Sequence, residues 1–433
     1  MRNQLVSLTV AGVLALAMAP QARAQTDDLA ALKAQLEALQ QKVQELEKQQ
    51  KAQQDSQDRT TDMVAQAKAG TPEWASRFTW KGDLRYRHEN VDPEEAVTDQ
   101  TRHRVRARFG FAAKVNDSLT ATVQLATTGG LTTATNQTDP RSTNQTLGNG
   151  WDRKAIGIDL AYADWKAADG LNLMFGKMPQ PFVKTGSYFW DNDITPEGIA
   201  AKFARGPFFA TAYGFWLSER SAATDATLLG AQIGMTGNVG GAKLTGAVSY
   251  YDVGAVQDEI TTFRAASSTA TACAFNTAFF GGPQGNTTVA DADGCAHLLN
   301  DYNMIQALVQ AEMKVGSQPL TLFADYIQNQ EADDLDKGYA LGVTLGKASN
   351  PGTWEVGYVW QKTEKDAQFG QFVDSDFGGG VTDVDGSVFK VGYAVAKNWA
   401  LNGTYFLNKR FVDATGATER DYKRYQIDLN FKF

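Results

Sequence analysis

The chain is poor in the residues that build metal centres and covalent scaffolds. It has 3 His and 2 Cys in 433 residues, too few for a Cys-rich zinc protein or a disulfide framework. The 11 Pro, set against 40 Gly, exclude a collagen-like or Pro-rich disordered chain. Positive charge is not in excess. The formal net charge of -8 argues against a basic nucleic-acid binder. Beyond the first residues there is no run of 18 apolar residues, so no transmembrane helix is expected. No nucleophile elbow, phosphate-binding Gly loop or Ser/His/Asp arrangement stands out. His88, His103 and His297 have no Cys or His at metal-ligand spacing. The expectation is a protein that is not an enzyme and carries no cofactor and no metal.

What is present begins with a leader. Arg2 precedes an apolar stretch of 15 residues, Leu5 to Ala19, and Ala22-Arg23-Ala24 is a small-residue cleavage signal. The stretch is short for a membrane span, so residues 1–24 read as a secretory signal peptide. Its removal takes away two Arg and no acid and leaves a charge of -10. Residues 25–53 carry a heptad pattern. Leu29, Leu32, Leu36, Leu39, Val43 and Leu46 are spaced 3-4-3-4-3, the a/d seam of a coiled coil. A lone helix of this length is marginal and needs a partner, so a homotrimer is the expected assembly. The competing reading is an amphipathic helix on the protein's own surface. Residues 54–76 read as a polar linker.

From Arg77 the period becomes 2. In Phe78 to Arg87 the even positions are apolar or Gly, and the odd ones include Lys81, Asp83, Arg85 and Arg87. The next strand inverts the parity, with Val105, Ala107 and Phe109 on one face and Arg102, Arg104, Arg106 and Arg108 on the other. Alternation continues to Tyr425, Ile427, Leu429, Phe431 and Phe433, although residues 208–236 alternate weakly. Seven short turns alternate with eight longer polar loops, which implies about 16 strands. The fold class is therefore all-β transmembrane: an antiparallel outer-membrane β-barrel over residues 77–433, with an N-terminal helical coiled-coil segment in the periplasm. Closure removes the strand edges that lipid would not tolerate, and a barrel of this size encloses water.

The segments Arg102–Val115, Ser142–Gly148, Gly157–Tyr162, Gly176–Phe182 and Trp190–Gly198 together resemble the Gram-negative outer-membrane "putative porin" family. More distantly, a heptad segment ahead of a barrel is similar to phosphate-selective porins of the O/P type. The resemblance implies an outer-membrane pore, trimeric, in contact with lipid. It names no solute.

The parity places Lys81, Arg85, Arg87, Arg102, Arg104, Arg106 and Arg108 on one lumen wall, and the closing strand adds Arg424. Asp83, Glu89 and Asp428 partly neutralise it. A basic wall favours anions among small hydrophilic solutes; a salt-bridged wall that only keeps the lumen wet is the alternative. In general porins the third loop narrows the barrel, so Asp191, Asp193 and Glu197 are expected opposite the arginines, where they would set up a transverse field. Asp374, Asp376, Asp383 and Asp385, in a Gly-rich loop, read as solvated acids, since the Ca²⁺-binding spacing is absent. Export through an oxidising compartment predicts a Cys273–Cys295 bridge, with about 3 kcal/mol of stabilisation from a loop of this length. A tether with a closed barrel, its coiled coil reaching the cell wall, and an outer-membrane lipase are the competing functions. The lipase lacks a visible catalytic constellation.

Overall fold

A computed structural model of the chain describes residues 38, 40–51, 54–55, 73–128, 139–148, 150–219, 224–259, 283–290, 292, 295–413 and 418–433. It divides into two units, residues 1–76 and 77–433. In the first, residues 40–51 are helical and exposed, with Val43 at 48% and Leu46 at 57%. The leader (1–24) and Leu29, Leu32, Leu36 and Leu39 lie outside the described residues. A single helical turn, Glu73–Ser76, ends this unit.

The second unit is a closed antiparallel barrel. Its sixteen strands are β1 (Phe78–Pro93), β2 (Gln100–Lys114), β3 (Leu119–Thr127), β4 (Ile156–Ala168), β5 (Leu171–Lys177), β6 (Glu197–Arg205), β7 (Phe208–Ser218), β8 (Ala226–Val239), β9 (Ala242–Gly254), β10 (Tyr302–Val315), β11 (Gln318–Asn329), β12 (Lys337–Gly346), β13 (Trp354–Thr363), β14 (Val384–Ala396), β15 (Trp399–Arg410) and β16 (Arg420–Lys432). Each pairs with its chain neighbours, and β1 pairs with both β2 and β16, which closes the sheet. Gln145–Thr146 adds a short rung to β2, and Thr288–Ala290 with Ala296–Leu298 forms a small hairpin in the fifth long loop.

Short and long connections alternate. At one end are tight turns such as 169–170 and 206–207, where Gly170 and Gly206 take φ of 75° and 60°. Such two-residue hairpins need left-handed backbone, which Gly supplies without strain. At the other end run the long loops, among them 128–155, 178–196, 255–301 and 364–383.

Strand parity sorts the side chains. Leu84, Phe109, Leu125, Ile233, Val309, Leu341, Val391 and Ile427 are exposed on the outside. A belt of Phe78, Trp80, Phe109 and Phe111, with ring centroids 5.1–6.1 Å apart, lies near the short-turn end, as membrane-interface girdles do. Arg87, Glu89, Gln232, Gln306, Gln361, Arg424, Gln426 and Asp428 are buried inside. An apolar cluster also sits within the barrel, formed where Met178, Phe182, Phe189, Trp190, Phe369 and Phe372 of the long loops meet Tyr213, Phe215 and Tyr251 of the wall. This explains the weak alternation over 208–236. The inward positions Phe209, Tyr213, Phe215 and Leu228 are themselves apolar, and Tyr213, Phe215 and Leu228 back the loop cluster.

Candidate functional site: a loop-narrowed lumen

The wall of β16, β1 and β2 carries a ladder of arginines. Register places Arg87 opposite Arg104 and Arg85 opposite Arg106 on one side, and Arg87 opposite Asp428 on the other. Like charges face each other directly across strands, a destabilising arrangement unless acids intervene. They do. Asp428 accepts a bidentate pair from Arg87 at 2.7 and 2.8 Å, a geometry that planar guanidinium favours. Glu89, fully buried, lies 2.6 Å from Arg424, 2.7 Å from Arg102 and 3.4 Å from Arg104. Asp83 holds Arg106 at 2.7 Å. Lys81 stands exposed at the short-turn end of β1.

Two loops bring in further carboxylates. The third long loop, 178–196, leaves β5 and packs across the interior. Its Asp193 takes 2.7 Å hydrogen bonding from Arg108. Burial penalises the Asp193 charge, but Arg108 and Arg106 outweigh it and hold the carboxyl below its usual range. The rest of the loop is anchored to the far wall. The Val183 amide and carbonyl both bond Gln232 at 2.8 Å, Thr185 donates to Asp325 at 2.7 Å, and Gln361 donates to the Tyr188 carbonyl at 3.0 Å. Trp190 packs between Phe372 (4.8 Å) and Tyr251 (4.7 Å).

The seventh long loop, 364–383, also lies inside. Asp376 sits between Arg87 (3.0 Å) and Arg424 (2.7 Å). Burial opposes its charge, yet these two guanidiniums hold it far below the ordinary carboxylate range. The expectation of solvated acids is corrected here for Asp376 and Asp383: Asp376 is locked between two arginines although its side chain stays 23% exposed, and Asp383 is 2% exposed and accepts from the Asp413 amide at 2.7 Å. Arg141 donates to the Gly380 carbonyl at 2.8 Å and Asn286 to the Gln368 carbonyl at 2.8 Å, which ties the loop inward. The two inward loops touch. Asp191 accepts from the Ser375 amide at 2.9 Å and its own amide donates to the Phe372 carbonyl at 2.8 Å. Burial and then the charge of Asp374 push the Asp191 carboxyl well up. Burial and Asp376 raise Asp374 to about 6. Lys184, buried in the same loop, is lowered to about 8 by burial, against the pull of Asp191 and Asp374.

The expected site residues are thus brought together unevenly. Asp193 meets the arginine wall directly. Asp191 faces backbone amides and Asp374 rather than an arginine. Glu197 opens β6 and pairs with Lys177 at 3.0 Å rather than with an arginine; its side chain is 60% exposed, on the lining of the loop cavity that Asp193 and Asp159 share. Sequence reasoning named Asp376 only as a solvated acid, on the density of Gly and Asp in 374–386, and did not single out Arg141 or Asn286, which no local pattern marks. Cys295 is buried and disulfide-bonded, and Cys273, the sequence's other cysteine, lies outside the described residues. A cavity of about 400 Å³, lined by Thr127, Asp139, Thr143, Asp159, Asp193 and Gln371 among others, opens between the second, third and seventh loops. No group of three or more metal-ligating side chains occurs among the described residues.

A closed sixteen-stranded barrel with an apolar exterior and a charged interior narrowed by loops defines an outer-membrane channel protein. The family model described as "Putative porin" matches residues 89–304 and 295–433, and the chain belongs to that family. Among solved structures, OprB of Pseudomonas putida aligns at 12% identity with a TM-score of 0.53, over 82% of this chain and 94% of that one. OmpF of Salmonella typhi aligns at 12% identity and a TM-score of 0.46, over 82% and 98%. No curated protein matches. The phosphate-selective O/P type does not enter these matches.

Proposed function

We propose that the protein is a passive diffusion porin for small hydrophilic solutes whose selectivity arises where the third and seventh loops meet the arginine wall. The observation that carries this reading is the reach of Asp193 and Asp376 across the lumen to Arg108, Arg87 and Arg424. These ion pairs pin the two loops against the ladder inside the barrel, which narrows the lumen and filters solutes by size.

A modest anion preference follows from the count. Arg85, Arg87, Arg102, Arg104, Arg106, Arg108 and Arg424 face six partner carboxylates, Asp83, Glu89, Asp159, Asp193, Asp376 and Asp428. One positive charge is left over. The Nε donors of Arg85, Arg102, Arg104, Arg108 and Arg424 have no hydrogen-bond acceptor among the described residues. Lys390, on the inward parity of β14, lies over the Tyr188 ring at 5.6 Å.

The heptad segment 25–53 supports assembly as a homotrimer with its helices in the periplasm, within reach of the cell wall. Planar-bilayer recordings in a KCl gradient test the reading. Discrete conductance steps and a reversal potential on the anion side are expected; an insulating bilayer overturns the porin reading in favour of a tether.

A further inference from the structure

Two of the three histidines in the sequence stand side by side on the outer surface of the barrel. His88 on β1 and His103 on β2 are register partners. Both share the outward parity of Trp80, Leu84 and Phe109, in the half of the wall nearer the long loops. Their ring centroids are 4.8 Å apart and their planes tilt by 44°. Each ring has one nitrogen beside a tyrosine hydroxyl: His103 Nδ1 is 2.7 Å from Tyr86, and His88 Nε2 is 3.4 Å from Tyr425. His103 Nε2 and His88 Nδ1 have no hydrogen-bond partner among the described residues.

We propose that His88 and His103 form a two-histidine site for a divalent transition-metal ion, with Cu²⁺ the tightest ligand. An imidazole nitrogen binds such an ion at about 2.0–2.1 Å, which places the metal about 3.2 Å from each ring centroid. Centroids 4.8 Å apart then subtend about 100° at the metal, between the square and tetrahedral angles. The tyrosine hydroxyls sit where second-shell partners of metal-bound histidines sit, accepting the far N–H and fixing the ring. Neighbouring strands hold both rings, so little ordering remains to be done on binding. Imidazole donors select copper, nickel or zinc over magnesium or calcium. No third His, Cys, Asp or Glu joins the pair among the described residues, so the protein supplies two donors.

The site faces away from the lumen and does not depend on the porin reading. Its test is Cu²⁺ titrated into the full chain in detergent, followed by electron paramagnetic resonance. The wild type should bind one ion on the order of 100-fold more tightly than H88A/H103A, with hyperfine coupling to two imidazole nitrogens. Each single variant should lose one nitrogen and most of the affinity, whereas Tyr86→Phe should keep both nitrogens and weaken binding about tenfold. Heat-modifiable mobility on a gel verifies that every variant is folded. Equal Cu²⁺ affinity in the wild type and the double variant, or a loss from only one of the two single histidine variants, overturns the proposal.

Discussion

Asp376 accepts a 3.0 Å hydrogen bond from Arg87 across 289 residues of sequence. The contact joins a loop to the first strand of the wall, so one carboxylate both places the seventh loop and neutralises the centre of the arginine ladder. Removing it should act on structure and on charge together. Asp376→Asn is expected to leave Arg87 and Arg424 short of one counter-charge and to loosen residues 364–383. A higher single-channel conductance and a reversal potential shifted further toward anions are the expected readings in planar bilayers. Unchanged values would place the loop outside the conduction path.

The opposite change is expected on the other wall. Arg104→Gln with Arg106→Gln withdraws two cations and leaves Glu89 and Asp83 with fewer partners. The reversal potential in a KCl gradient should move toward cations. If it stays put, the ladder does not face permeating ions.

Acid should tighten the loop pair. Asp374 is raised to about 6 and Asp191 is raised in the same direction, so the loops docked inside bind more protons than the loops released. The stabilisation that these two groups contribute is therefore full below the ordinary carboxylate value of 3.8 and is lost as pH rises through the window to about 6, while the pairs of Asp193 and Asp376 with arginine weaken only as pH falls below 3.8. The charged neighbours work elsewhere. Asp193 and Asp376 are held low by arginines, and Lys184 is lowered only to about 8. The protection of residues 178–196 against hydrogen exchange, relative to the intrinsic rate at each pH, should rise between pH 7 and pH 5, and Asp374→Asn should flatten that dependence. Protection that falls on acidification would contradict the sign.

Trp190 is one of the rings that seat the third loop. Trp190 is 2% exposed and contacts Phe182, Tyr251 and Phe372. Trp190→Ala should cost the docked loop about 3–5 kcal/mol, the usual penalty for emptying such a site. Limited proteolysis of the folded barrel should then cut within 178–196, where the wild type resists.

The fifth loop offers a chemical check. Thiol titration of the denatured, unreduced chain should find no reactive Cys, and reduction should release two. Thiols without reduction would leave Cys273 unbridged to Cys295.

Much of the wall was legible because strand parity is local. Arg102, Arg104, Arg106 and Arg108 alternate with apolar neighbours, and a pleated strand must send them to one face whatever surrounds it. The strand number and the row of arginines followed from that rule and from the Gly-bearing turns. Residues 208–236 were opaque for the converse reason: the inward Tyr213, Phe215 and Leu228 are as apolar as the lipid-facing positions because they back the third loop, with Thr211 and Gln232 the polar exceptions.

The loops were not legible in the same way. Nothing near Asp376 in the chain marks it as the partner of Arg87 and Arg424, and nothing near Glu197 marks Lys177, rather than an arginine, as its partner. The amino-acid order alone settled the barrel, its two faces and its arginine ladder, since those rest on alternation and turn chemistry between near neighbours. Tertiary structure alone decided which acids meet the ladder, because that pairing depends on how two long loops pack inside a wall built from distant parts of the chain.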